Sequence, residues 1–412
     1  MKLLFLLPIL SVSLLTLNCS DNTVAGGIET TNGGVAMING HPAEGATVRL
    51  VMPTFEGVIQ NSLVVDSAIT GDDGSFILNR EIDGNYNLQI EHEQGAVVVR
   101  GFRAVHNQII DLYEQGQLSG RVNSDLAGPV RLNLWGSAYS AIADENGSFD
   151  FGPVAPGVYK MVAVVPLSTD PTATTLSPKS VLDIGSAENI HDTIDVSDPL
   201  TEGLPYHSLG HFVDDIVWYT FSDSISRRYD PHSAQWIIDE TAPRLEGNSS
   251  IQVSSLPDIT SGGPLGAIAV LGDEYDYPYA GLGTSLAYDY SGLLMNLSSM
   301  THFTFNARGN GVLRIRFGSD LLEENNGGGQ YTYQFVLTDD WQQIEITPDS
   351  LELTPFDEDL AAQYPWSEAA ATTNRIEFEF SISNNAVGDT LILECDNMVF
   401  HGVRLEELIE IP

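Results

Sequence analysis

The run Asp273-Glu274-Tyr275-Asp276-Tyr277-Pro278-Tyr279 interleaves three tyrosines with acids. A pyranose ring has an apolar C–H face that stacks on an aromatic ring, and hydroxyls that need several donors and acceptors; this run offers both. Its chemistry is recognition of a polyhydroxylated ligand. The plainer alternative is that one or two of the rings pack beneath the loop. A second set comes from strand alternation. Arg314 and Arg316 alternate with Leu313, Ile315 and Phe317, so both arginines share the face away from the core. His302, Thr304 and Asn306 do the same on the neighbouring run 302–307. These side chains are expected to line one groove. The alternative is solvated strands whose arginines pair with Glu377 and Glu379.

Motifs for covalent or metal-assisted catalysis are missing: there is no Gly-x-Ser-x-Gly, His-Glu-x-x-His, P-loop or Rossmann glycine fingerprint. His207 and His211 have the spacing that ligates zinc on a helix, but Pro205 and Gly210 argue against a helix there. With 56 acidic residues, some pair falls at glycosidase spacing by chance. Such pairs are defined in space, so the sequence leaves a weak glycoside hydrolase open. Cys395 sits in the apolar run 391–395 and reads as a buried, inert thiol. Trp341, opening a strand after a turn, reads as core; Trp218, Trp236 and Trp366 stay unassigned.

The elements that position these groups are read from the whole chain. Its 412 residues exceed what one core usually organises, so two to four domains are expected. Acids outnumber bases 56 to 17, giving a net charge of −39. That field repels phosphate backbones and anionic headgroups, which excludes nucleic acid as a partner and leaves neutral polymers and cations. Met1-Lys2, an apolar run over residues 3–17 and the break Asn18-Cys19-Ser20-Asp21 describe a signal peptide, too short for a comfortable membrane span. If Cys19 is modified, Cys395 has no disulfide partner. Residues 20–32 are small and polar and read as a flexible tether.

An internal repeat follows. Thr70-Gly71-Asp72-Asp73-Gly74-Ser75-Phe76 matches Ala143-Asp144-Glu145-Asn146-Gly147-Ser148-Phe149 at an offset of 73, and Gly84-Asn85-Tyr86 matches Gly157-Val158-Tyr159 at the same offset. Asp-Asp-Gly and Glu-Asn-Gly supply the positive φ of a tight turn, after which Ser-Phe opens a strand. Pro199 and Pro205 mark residues 197–210 as a linker. Beyond it, residues 211–405 carry repeated period-2 runs separated by turns such as Gly309-Asn310-Gly311, with no long helical period. The fold class is all-β: two small sandwiches followed by a jelly-roll sandwich.

Three resemblances attach to these residues. The N-terminal segment resembles that of bacterial lipoproteins: residues 1–19 form the signal peptide with Cys19 as the lipidated residue. Ser20 beside it implies an outer-membrane, cell-surface destination and membrane contact through the lipid alone. Thr16 and Asn18 depart from the usual Leu and small residue. Residues 33–114 and 117–196 resemble carboxypeptidase regulatory-like domains, which are transthyretin-like seven-stranded sandwiches without catalytic residues. The second copy is the closer, since it keeps Val154-Ala155-Pro156-Gly157. Residues 211–405 resemble a family 11-type carbohydrate-binding module, a galactose-binding-like jelly roll. The resemblance is carried by Tyr279-Ala280-Gly281-Leu282-Gly283, the run 303–311, the run 335–343 and Cys395-Asp396-Asn397-Met398-Val399-Phe400. It implies non-catalytic binding of a polysaccharide, a β-glucan-type chain, with Tyr275, Tyr277, Tyr279, His302, Asn306, Arg314 and Arg316 as ligand-binding residues. It also implies a structural calcium held by Asp223 and Asp396, although Ser222 stands where a carboxylate is expected and Asp214-Asp215 compete for the early position. No organic cofactor is implied. A structural or adhesive envelope protein without a sugar ligand remains the alternative.

Overall fold

The computed structural model describes residues 32–80, 86–103, 108–126, 128–167, 170, 173–211, 216–230, 233–240, 242, 245–257, 262–286, 294–326, 329–354 and 363–409. The signal segment with Cys19, most of the tether, Gly84-Asn85 and Asp214-Asp215 lie outside these residues.

The chain is all-β. The first sandwich is built from β1 (Gly33–Ile38), β2 (His41–Pro42), β3 (Thr47–Val51), β4 (Val64–Ile69), β5 (Ser75–Ile77), β6 (Asn87–His92), β7 (Gly95–Val99) and β8 (Ile109–Leu112). One sheet runs β2-β1-β5 with β8 on the other side of β1, and the other runs β4-β3-β6-β7. The second sandwich uses β9 (Gly116–Ser124), β10 (Arg131–Leu134), β11 (Ser140–Ile142), β12 (Ser148–Val154), β13 (Gly157–Pro166), β14 (Thr174–Ile184) and β15 (Asn189–Val196). Its sheets run β11-β10-β13-β14 and β12-β9-β15.

The sequence repeat is a structural repeat. In each copy the first strand pairs antiparallel with the Ser-Phe strand and parallel with the last strand (β1 with β5 and β8; β9 with β12 and β15). The turn glycines take φ +75° at Gly74 and +79° at Gly147, and a Cβ on either would come within 2.4 Å of Ala36 O or 2.2 Å of Val122 O. Asp73 accepts the Ser75 amide, and Asp144 accepts the amides of Asn146 and Ser148, so each turn is closed by its own carboxylate. The following Phe76 and Phe149 point inward and are buried.

The third sandwich is larger. Its strands are β16 (Leu204–Pro205), β17 (Val217–Ser222), β18 (Arg227–Asp230), β19 (Gln235–Ile238), β20 (Ser250–Ser255), β21 (Leu265–Val270), β22 (Tyr279–Ser285), β23 (His302–Gly309), β24 (Val312–Ser319), β25 (Gln330–Val336), β26 (Gln342–Ile346), β27 (Glu352–Thr354), β28 (Thr373–Ser381) and β29 (Thr390–His401). A six-stranded sheet runs β20-β21-β29-β23-β26, with β16 also on β29; an eight-stranded sheet runs β19-β18-β17-β22-β28-β24-β25-β27. Between them Phe303, Phe305, Phe317, Phe378 and Phe400 meet ring to ring, and all are at most 1% exposed. Cys395 is buried in this layer as a free cysteine, and burial pushes its thiol pKa well up.

Two expectations need correction. Residues 197–210 are not a bare linker: Leu204 and Pro205 pair with Phe400 and Val399, and Tyr206 and Leu209 are buried in the core. Pro199 opens a short helix capped by Asp198, so both prolines sit inside structure. The second correction concerns β23 and β24. They belong to opposite sheets, because the chain arches over at Gly309-Asn310-Gly311 instead of forming a hydrogen-bonded hairpin. Outward residues on the two strands therefore face away from each other.

The three sandwiches share one apolar cluster. Phe55, from the helix Phe55–Gln60 of the first, packs against Trp135 of the second with ring centroids 5.1 Å apart and planes tilted by 45°, and Val162, Val164 and Leu176 continue into the core of the third. Polar contacts lock the same seam. Asn87 donates to Gly136 O (2.7 Å), the Ala138 amide donates to Gln89 (2.7 Å), and Arg131 donates to Ile59 O (2.8 Å). Thr175 donates to Glu406 (2.9 Å) at the second seam. Among the described residues no helix is long and apolar enough to cross a membrane.

Candidate functional site

Two residues without side chains shape the outward face of the eight-stranded sheet. Gly281 and Gly283 on β22 lie between β17 and β28, with Phe221 and Glu379 flanking Gly281 and Tyr219 and Glu377 flanking Gly283. A Cβ on Gly281 would come within 2.4 Å of the Phe221 ring, and one on Gly283 within 2.5 Å of the Tyr219 ring. Both rings are thus laid over bare backbone. Tyr219, Phe221 and Tyr279 follow one another at centroid separations of 6.2 Å. Tyr219 is buried, whereas Phe221 and Tyr279 are half-buried. Desolvation raises the Tyr279 pKa, with the Tyr275, Asp223 and Glu379 charges adding to it.

Beside the rings runs a polar network. On β28 and β24, Glu379 sits opposite Arg314 and Glu377 opposite Arg316. Arg314 lies 3.4 Å from Glu379, and Arg316 bonds Glu379 and Gln330 and approaches Glu377 at 3.3 Å. Arg375 reaches Glu377 at 3.2 Å and also binds Glu323. Tyr219 donates to Glu377 Oε1 at 2.9 Å, and Gln334, with its amide turned to satisfy both neighbours, accepts from Arg314 at 3.0 Å. Burial would lower the Arg316 pKa, but Glu377 and Glu379 outweigh it and hold the guanidinium charged. Arg316 also lies over the Phe221 ring at 5.7 Å. Three arginines thus face three carboxylates, a locally balanced surface on a chain of net charge −39. The Arg316 contact to Glu377 Oε2 is an ion contact rather than an aligned hydrogen bond, and this buried oxygen keeps unused acceptor capacity.

Of the residues expected from sequence, Arg314, Arg316 and Tyr279 come together here, and the arginines do pair with Glu377 and Glu379. Tyr275 is half-buried in the preceding loop, and Tyr277 is 72% exposed at its tip. His302 and Asn306 do not join them: on β23 they face outward from the six-stranded sheet. There the His302 ring stacks on His401 at 4.0 Å, and Asn306 sits opposite Asp396. The expected calcium pair is not assembled either. Asp223 follows β17 and is fully buried, accepting the Ser249 amide (2.8 Å), the Ser249 hydroxyl (2.5 Å) and the Tyr279 amide (3.3 Å). Asp396 lies in β29 of the other sheet. Among the described residues no group of three or more His, Cys, Asp or Glu could hold a metal. Asp223 is instead a latch that fixes where β22 begins, and with it the row of rings. Trp341, expected in the core, is 45% exposed.

Sequence reasoning missed Tyr219 and Phe221. The run Val217-Trp218-Tyr219-Thr220-Phe221 is apolar or aromatic at nearly every position, so alternation gives no inward side. The signal that could have found them is Gly281-Leu282-Gly283: glycines at period 2 in a strand mark a face where something lies close to the backbone.

No family model and no curated protein matches the chain. Among solved structures, the family 11 carbohydrate-binding module of the cellulosomal cellulase Lic26A-Cel5E of Clostridium thermocellum is 14% identical; the match covers 46% of this chain and 89% of that one, with TM-score 0.29. The Clostridium thermocellum family 11 module in complex with a β-1,3-1,4-mixed-linked tetrasaccharide is 16% identical over 40% of this chain and 94% of that one, with TM-score 0.27. SGBP-B from a complex xyloglucan utilization locus in Bacteroides uniformis is 12% identical over 87% of this chain and 92% of that one, with TM-score 0.23. All three scores lie below 0.5, and the all-β fold rests on the strand pairing described above.

Proposed function

We propose that the outward face of the eight-stranded sheet binds a neutral polysaccharide, of β-glucan type, without turning it over. The observation that carries this reading is the half-buried pair Phe221 and Tyr279, backed by buried Tyr219, with Phe221 laid over Gly281 and Tyr219 over Gly283 beside a charge-balanced hydrogen-bonding network. Aromatic rings offer stacking area to the apolar faces of sugars, and the Arg, Glu and Gln groups answer their hydroxyls. Glu377 and Glu379 are engaged by arginines and Tyr219, an arrangement suited to a rigid floor more than to proton transfer. In the same reading the acyl chains on Cys19 hold the protein at the bacterial outer membrane, facing its polymer.

Affinity electrophoresis through gels containing β-glucans, cellulose derivatives, xylan or mannan tests the proposal. Retardation by one polymer is expected, lost in Tyr219→Ala and Phe221→Ala and kept in Tyr277→Ala. Migration unchanged by every polymer, or retardation that survives both face substitutions, would overturn it.

A further inference from the structure

The two copies of the repeat can be compared position by position on one outer face. In the first sandwich the outward side of β1, β5 and β8 carries Val35 and Met37, both half-buried, with Ile77 76% and Ile109 64% exposed. Val35 lies opposite Ile109 and Gly33 opposite Ile77, so the four side chains form one patch. The strand registers put Arg121, Asn123, Asp150 and Thr193 at the same four positions of the second sandwich, all of them exposed. The fold is thus served equally by a polar face, and the apolar one belongs to the first copy alone.

This patch points away from the rest of the molecule. The second sandwich covers the opposite sheet: Asn87 and Gln89 on β6 bond to it, and Ala96 and Val98 on β7 pack into its core. The chain enters at the rim of the free face, where Asn32 O accepts the Leu78 amide at 2.7 Å. From Cys19, residues 20–32 reach at most about 45 Å when fully extended.

We infer that this face lies against the lipid surface in which Cys19 is anchored; the inference rests on the anchor proposed above. Asp111 brings the single charge among the outward positions of β1, β5 and β8, so a chain of net charge −39 can set this side on headgroups with little repulsion. A second copy fits the face less well. It brings a further −39, and four side chains of this size expose roughly 300 Å², well short of the about 800 Å² per partner of a stable dimer. On a membrane the acyl chains supply the attachment, and Ile77 and Ile109 decide which side of the first sandwich is turned down.

For the test, the chain from Cys19 onward is coupled through that thiol to a maleimide phospholipid in phosphatidylcholine vesicles; Cys395 is buried and stays unreacted. Hydroxyl-radical footprinting read by mass spectrometry compares the vesicle-bound chain with the free one. Labelling of Met37, Ile77 and Ile109 should fall several-fold on vesicles, while Ile142 and Val158, equally open on the second sandwich, keep theirs. Ile77→Asp/Ile109→Thr installs the residues of the second copy; it should melt with the wild type and restore the labelling of Met37 on vesicles. Labelling unchanged by the vesicles overturns the inference, and so does protection of Met37 that survives the double variant. Labelling already suppressed in the free chain and rising on dilution overturns it in favour of a second copy. Because coupling replaces acylation, each of these outcomes leaves the proposed anchor untouched, whose own failure would show as Cys19 without acyl chains in cells.

Discussion

The ring of Tyr219 lies over the backbone of Gly283, so close that a methyl group there would stand 2.5 Å from its Cζ. Gly283→Ala should therefore lift the ring, and Gly281→Ala should lift Phe221 in the same way. Overpacking of this kind costs about 1–3 kcal/mol. Each variant is expected to fold, melt lower, and lose at least about 10-fold in polymer retardation, a factor equal to about 1.4 kcal/mol. Wild-type retardation in both would show that the flat placement of the rings is irrelevant to binding.

Glu377 joins Arg316, Arg375 and Tyr219 and is only 6% exposed. Removing it takes one carboxylate from each of two half-buried guanidinium groups, which keep Glu379 and Glu323, so the cost falls below the about 3–5 kcal/mol of a buried pair broken outright. Glu377→Ala should shift the urea midpoint accordingly, with Glu377→Gln intermediate. Glu407→Ala, at a position whose side chain is 49% exposed, is the control and should stay within about 0.5 kcal/mol of wild type.

Lys179, on β14, has its pKa lowered from 10.5 to about 8, chiefly by burial, with Glu202 and Asp195 partly opposing the shift. A lysine whose folded pKa is depressed binds fewer protons folded than unfolded between about pH 8 and 10.5, so its contribution to stability rises with pH across that window. Below pH 8 both states are protonated and the burial cost is fully present. Lys179→Met should accordingly be more stable than wild type at pH 7, and the difference should shrink from pH 8 to 10. Denaturation at those pH values checks the sign; a constant difference would show that the lysine is protonated throughout.

Phe55 packs on Trp135 across the first seam. Truncating a buried phenylalanine costs about 3–5 kcal/mol. Because this one joins two sandwiches, Phe55→Ala is expected to split a single calorimetric transition in two, the earlier belonging to the first sandwich. A single transition displaced as a whole would mean that the remaining seam contacts suffice for cooperativity.

The proposed lipid anchor has its own assay. Cells fed radiolabelled palmitate should label the wild-type protein, and Cys19→Ser should abolish the label and move the protein from the membrane to the soluble fraction. Label retained in Cys19→Ser would rule this anchor out.

Strand alternation in the sequence revealed which side of each strand faces the core: Leu313, Ile315 and Phe317 point inward and Arg314 and Arg316 outward, as period 2 requires. The repeat at offset 73 was equally plain, because its glycines answer a backbone constraint that only glycine meets. What alternation cannot encode is the sheet to which a strand belongs. His302 and Arg314 looked like neighbours because a short turn separates them, yet that turn crosses the sandwich. Prolines misled in a related way: Pro199 and Pro205 punctuate a linker equally well as they fit a helix start and a short strand pairing. Trp341 read as core because it opens a strand after a turn, but it lies just outside the register of an edge strand and is 45% exposed.

Arg131 donates across the first seam to Ile59 O, and the apolar cluster runs from Val51 through Trp135 to Phe400. A continuous interior of this kind removes the hinges that chains of small sandwiches ordinarily have. If the third sandwich holds a polymer as proposed, a pull applied there would be delivered through packed side chains to the first. Packing of this kind would make the assembly a strut, with the angle at which it meets a polymer set by folding rather than by thermal wandering.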